Sequence, residues 1–214
     1  MTRILFLDID GVFIPMRSYF MASQTSGIVR TFDPCVVGMV NAICKDTGAK
    51  LVIHSSWVRT GFHGLTYDHE YPVMLHMLDQ GIKYEYFHEI PQCKYAYTGT
   101  RWDAIADWLL NADRRSEVIE DYFILEDEDQ PGGFKNHIHT DFDEGFTVKD
   151  YFTILEAWLP PIDQTVYHHL VFNSADDATR AVYREQGLLD DRDEITPLGL
   201  NTIDVYRRKR DGSC

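Results

Sequence analysis

Three short apolar runs punctuate the first 130 residues, and each one stops at side chains able to do chemistry. Ile4-Leu5-Phe6-Leu7 leads into Asp8, Asp10 and Gly11, Leu51-Val52-Ile53 into His54, Ser55 and Ser56, and Phe123-Ile124-Leu125 into Glu126-Asp127-Glu128-Asp129. None alternates with polar residues, the pattern of strands buried on both faces of a parallel sheet. Helical spacing fills the intervals. Asp33 and Pro34 start a helix whose apolar positions are Val36, Val37, Val40, Ile43 and Cys44, ended near Gly48. Thr100 and Asp103 open another, with Ile105, Trp108 and Leu109 on one face. Tyr71 to Leu78 reads as a further helix, with Gly81 to Ile90 returning toward the sheet. The fold class this predicts is α/β, a Rossmann-like parallel sheet flanked by helices.

Beyond the third run, His137-x-His139 fits a strand with alternating faces. Pro160-Pro161 marks an expected boundary between residues 1–159, the main domain, and residues 160–214. In the second piece, Thr165–Phe172 and Thr202–Tyr206 read as strands around a capped helix, Ser174–Gln186, ended by Gly187. Such a small βαβ appendage buries little surface alone, so it is expected to pack on the main domain, cover its site or pair with another copy of the chain as a homodimer. Residues 14–32, with Met16, Tyr19, Phe20 and Met21, form an insertion directly after the first strand.

Ligands of parallel sheets sit beyond the carboxyl ends of the strands, where Asp8 and Asp10 belong. Two carboxylates so placed repel each other unless a cation lies between them. Oxygen ligands of this type suit Mg²⁺, which shares its coordination with substrate phosphate.

The string FLDIDGVF resembles the first motif, Asp-x-Asp-Gly-Val/Thr, of the haloacid dehalogenase-like (HAD) phosphohydrolase superfamily. The resemblance implies that Asp8 is a nucleophile that becomes an aspartyl-phosphate, with Asp10 as general acid for the leaving group and base for the attacking water. It extends to KLVIHSSWVR, residues 50–59, where Ser55 is the first candidate to bind the phosphoryl group and Ser56 stands close behind. The Ser pair also reads as a cap for the next helix, which is compatible with phosphate binding at that end. The wording is similar to a narrower group, the HAD domains of RNA-repair proteins and small phage and bacterial phosphatases, in which Trp and Arg follow the Ser pair. Here Val58 separates Trp57 from Arg59, which leaves open whether Arg59 reaches phosphate. The superfamily Lys is matched by Arg101, with Lys94 as the alternative and a solvated helix-terminal Arg as the plain reading. The last motif, a strand ending in two Asp, is matched by Glu126 and Asp127, so Asp8, Asp10 (through its carbonyl), Asp127 and Glu126 are the implied Mg²⁺ site. Thr140-Asp141 and Gly145-Phe146-Thr147 resemble the narrower group's closing segment. In this family the 14–32 segment would be a flap, too short for a full cap domain.

Charge narrows the substrate. With 20 basic and 34 acidic residues the net charge is −14, a surface that repels extended duplex nucleic acid. A nucleotide, the terminal phosphate of an oligonucleotide or a small phosphorylated metabolite fits better. No apolar stretch approaches the roughly 18 residues of a membrane span. The opening Met-Thr-Arg leaves no room for a cleaved signal peptide, so the expected location is cytoplasmic. Cys35, Cys44, Cys93 and Cys214 lack CxxC spacing and read as free thiols. A catalytically degenerate member, binding a phosphorylated ligand or a protein partner without turnover, is the alternative that Glu126, Arg101 and Arg59 permit.

Overall fold

The three apolar runs lie side by side at the centre of one parallel sheet. Strand β1 (Thr2–Leu7) has β2 (Lys50–Ile53) on one side and β4 (Ile119–Glu126) on the other; β3 (Phe87–Gln92) and β5 (His137–His139) are the edges, giving the order β3-β2-β1-β4-β5. The computed structural model describes residues 2–16, 18, 31–60, 71–94, 99–130, 132–159 and 164–211, without the side chains of residues 59, 60, 164, 210 and 211. The flap expected over 14–32 and the boundary expected at Pro160-Pro161 lie largely or wholly outside them.

Ile4 through Leu7 are fully buried, as a central strand covered on both faces requires. Alternate side chains point to opposite faces. Ile4 and Phe6 face helix α4 (Arg101–Arg114) together with Val52 and Ile124, and its Trp102, Ile105 and Trp108 complete that core. The Phe6 and Trp108 rings meet edge-on at 5.4 Å, and the Trp108 indole donates to the Ile90 carbonyl at 3.2 Å. Helix α1 (Pro34–Thr47) buries the five apolar residues that its spacing predicts, between the Asp33 cap and Gly48 in the left-handed conformation at φ 70°. Helices α2 (Ser56–Thr60) and α3 (Pro72–Asp79) follow β2.

Pairing continues past the strand ends. Asp8 N–H donates to the Leu125 carbonyl (3.0 Å), His54 N–H to Leu7 (2.9 Å) and Thr140 N–H to Glu126 (3.0 Å). The carboxyl tips of β1, β2, β4 and β5 are thereby held in register by backbone alone.

The described residues divide into two compact units after Tyr151, within helix α5 (Val148–Trp158). The second unit corrects the βαβ expectation. Residues Thr165–Phe172 lie in helix α6 (Gln164–Phe172), Thr202–Tyr206 lie in α8 (Pro197–Asp211), and α7 (Asp177–Glu185) is the helix expected between them. Short β-branched and aromatic runs do not by themselves separate strand from buried helix. Here the buried positions Tyr167, Leu170 and Ile203 close one cluster with Tyr183, Leu188 and Leu189, an arrangement between helices that provides no sheet partner. The overlooked start signal is Thr196-Pro197: the Thr196 hydroxyl accepts from Gly199 N–H at 3.1 Å, and Pro197 occupies the first helical position.

Candidate active site

Asp8 leaves the buried end of β1 with only 2% of its surface exposed. Its Oδ2 accepts from Arg101 Nη1 at 2.9 Å, and the same nitrogen donates to Glu126 Oε1 at 2.6 Å. Arg101 Nη2 reaches Glu128 Oε1 at 3.1 Å. The first helical position of α4 sets this guanidinium. A complete capping box between Thr100 and Asp103 fixes where α4 begins, and the neighbouring Trp102, 7% exposed, packs against the His137 ring at 5.2 Å. Burial works against the charge of Arg101, but the hydrogen bond it donates to Glu126 and the negative charge of Asp8 beside it outweigh that and hold the guanidinium protonated.

Three carboxylates converge beyond β1 and β4. One oxygen from each of Asp8, Glu126 and Asp127 lies within 4.8 Å of the others. Burial, then the neighbouring Asp8, pushes the Glu126 carboxyl up to about 9 despite the pull of Arg101, and burial raises Asp127 as well. Anionic carboxylates this close and this buried are short of compensating positive charge. Asp8 Oδ1 is also buried without a hydrogen-bond partner among the described residues. An all-oxygen donor set with an orphaned buried carboxylate oxygen fits a hard divalent cation such as Mg²⁺.

Gly11 makes the cluster fit. It sits at φ 69°, where glycine is favoured, and a Cβ there would lie 2.4 Å from the Asp127 carboxyl. Edge strand β5 pins both loops that carry the acids. The buried Thr140 hydroxyl donates to the Gly11 carbonyl at 2.9 Å, and His139 Nε2 contacts the Asp127 carbonyl at 2.8 Å.

At the tip of β2, His54 is fully buried, with Nε2 3.3 Å from the Leu125 carbonyl and Nδ1 3.4 Å from Glu126 Oε2. Burial lowers it to about 4, so a neutral imidazole lines the cluster at pH 7. Ser55 is fully buried and its Oγ accepts from Trp57 N–H at 3.3 Å; Ser56 starts α2 and is half-buried. The Trp57 indole N–H donates to Asp10 Oδ2 at 2.8 Å.

Asp8, Glu126 and Asp127 are thus gathered in one cluster with Arg101 bonded to the first two, and Asp10 and Ser55 are linked through Trp57. Among the described residues the cation on Asp8 is Arg101, while Lys94 is exposed. The Arg59 side chain lies outside the described residues. Sequence reasoning passed over His54, Trp57, His139 and Thr140 as parts of the site. All four flank its motifs, which is the signal that points to them.

Residues 4–151 match the family model described as the HAD domain in Swiss Army Knife RNA repair proteins. The chain belongs to that family. The matched span ends where the first compact unit ends, at Tyr151, and takes in β1 from Ile4 onward, β2 to β5 and every residue of the acidic cluster. The five-stranded parallel sheet with its flanking helices is the HAD fold, and membership of a phosphohydrolase superfamily agrees with acids gathered at the strand tips. Among curated proteins and among solved structures, none matches the chain. Among the described residues of this HAD protein, no helix is long and apolar enough to cross a membrane.

Proposed function

We propose that this HAD protein is a Mg²⁺-dependent phosphomonoester hydrolase working through an aspartyl-phosphate on Asp8. The observation that carries the reading is the convergence of Asp8, Glu126 and Asp127 at the tips of adjacent strands, with Arg101 bonded to Asp8. Asp8 attacks phosphorus, and the ester oxygen leaves with a proton from Asp10. Asp10 then takes a proton from water, which hydrolyses the acyl phosphate and regenerates Asp8. Arg101, bonded to Asp8 Oδ2 at 2.9 Å, fixes the orientation of that carboxyl group. The Ser55 oxygen already accepts from the Trp57 N–H, which leaves its own proton to donate to a phosphoryl oxygen. Asp8, Asp127 and the Asp10 carbonyl would hold Mg²⁺, which when bound supplies charge neutralisation for the phosphoryl oxygens. The substrate class is a nucleotide, an oligonucleotide terminal phosphate or a small phosphorylated metabolite, in keeping with a net charge of −14 that disfavours long polyanions.

The test is release of inorganic phosphate with Mg²⁺ from p-nitrophenyl phosphate and from a panel of nucleoside 3′- and 5′-monophosphates, oligonucleotide 3′-phosphates and sugar phosphates. Wild-type protein should turn over at least one of them, chelation should stop it, and Asp8→Asn should reduce it to background. A wild-type protein silent across the panel sinks the reading in favour of a non-catalytic phosphate binder, the role that Glu126, standing where the superfamily has Asp, would allow.

A further inference from the structure

We infer that Trp57 is a positioning residue that orients both polar groups acting on the substrate, the Asp10 carboxyl and the Ser55 hydroxyl. The inference rests on the hydrolase reading above and adds to it a part played by a side chain that never meets phosphate.

An indole N–H donates and cannot accept. Its 2.8 Å bond to Asp10 Oδ2 therefore assigns that oxygen as acceptor. A proton on Oδ2 would set donor against donor, so when Asp10 is the acid its proton belongs on Oδ1, and the carboxyl plane is held about a fixed axis. The backbone N–H of the same residue donates to Ser55 Oγ at 3.3 Å, which directs the hydroxyl proton away from that N–H. One residue thus sets hydrogen-bond direction at two groups that lie beyond the tips of different strands.

Trp57 is itself well anchored. It is 4% exposed, sits in the first turn of α2, and its ring lies 5.8 Å from the His76 ring of α3. A buried indole has few rotamers open to it, so the bond to Asp10 comes with little loss of freedom when substrate binds.

Two measurements test this. In protein labelled at the indole nitrogens, the four Trp give four indole signals, and the one lost in Trp57→Phe is that of Trp57. Asp10→Ala should move that signal and leave the other three in place. In kinetics, replacing Trp57 by its benzothiophene isostere, which keeps the ring and lacks the N–H, should cut kcat on alkyl phosphates on the order of 10²-fold, the cost of a misplaced group. The loss on p-nitrophenyl phosphate, whose leaving group needs little acid assistance, should be several-fold smaller. Trp57→Phe should show the same split wherever it folds. An unmoved indole signal, or equal losses on both esters, overturns the inference. Absence of wild-type turnover on any phosphomonoester removes the hydrolase reading and this role with it, and is told apart from the first failure because the indole signal is read without substrate.

Discussion

At the scale of single residues, the site depends on one position that carries no functional group. Gly11 permits the chain to turn directly behind the Asp pair and to pass against Asp127, so both backbone and side-chain space are committed there. In Gly11→Ala, the left-handed backbone costs about 1 kcal/mol and the new methyl displaces the Asp127 carboxyl. Wild-type protein should gain thermal stability on adding Mg²⁺, by RT ln(1 + [L]/Kd), about 2.7 kcal/mol at a hundredfold excess over Kd. The variant should gain almost none, which differential scanning fluorimetry with and without Mg²⁺ reads directly. Asp8, Asp10, Ser55, Arg101 and Asp127 were all legible in the sequence because each follows an apolar run or a cap. The sequence already favours Arg101 over Lys94; what it does not show is that the same nitrogen bonds both Asp8 and Glu126, which depends on how α4 lies over the sheet.

At the scale of elements, α4 is held at both ends by signals of different visibility. Its start, the Thr100 capping box, is written locally in four residues. Thr100→Ala should cost about 1 kcal/mol in chemical denaturation, typical of a lost N-cap, with Arg101 less well placed. Just past its other end, Glu117 accepts from His88 of β3 at 2.7 Å and from Arg115 at 3.2 Å, contacts that no local pattern foretells. Burial alone would raise the Glu117 carboxyl, but the His88 and Arg115 bonds outweigh it and hold it below its usual range. A depressed carboxylate contributes stability that is present above its ordinary value near 4.5 and is lost as pH falls through the folded-state value. Wild type and Glu117→Gln should therefore differ by up to about 1 kcal/mol at pH 7 and converge only as pH falls through the lowered folded-state value in urea titrations.

At the scale of the whole molecule, the basic side chains of Arg207, Arg208 and Lys209 bear on what a chain of net charge −14 can bind. Within the second unit these side chains are used for folding. The Arg208 guanidinium lies 3.7 Å over the Phe152 ring, Lys209 donates to the Glu156 carbonyl, and Arg207 donates to the Tyr167 hydroxyl. Cations so engaged, on a chain of net charge −14, make a poor phosphate track. Arg208→Ala should lower stability by about 0.5–1 kcal/mol, as a lost cation–π contact does. Wild type and variant alike should fail to retain a DNA duplex in a gel-shift assay at physiological salt, and salt-sensitive retention lost in the variant would contradict this.

The sequence by itself determined the parallel sheet and the residues at the tips of its central strands, because an unbroken apolar run ending in acids has few physical solutions. The caps at Asp33 and Thr100 were equally plain, since capping joins residues two or three apart. Only the tertiary structure decided that Thr165–Phe172 and Thr202–Tyr206 are helical, that Arg101 joins Asp8 to Glu126, and that Trp57 reaches Asp10. Each of these depends on contacts between residues distant along the chain or on packing that overrides local preference, and such contacts exist only once the elements have met.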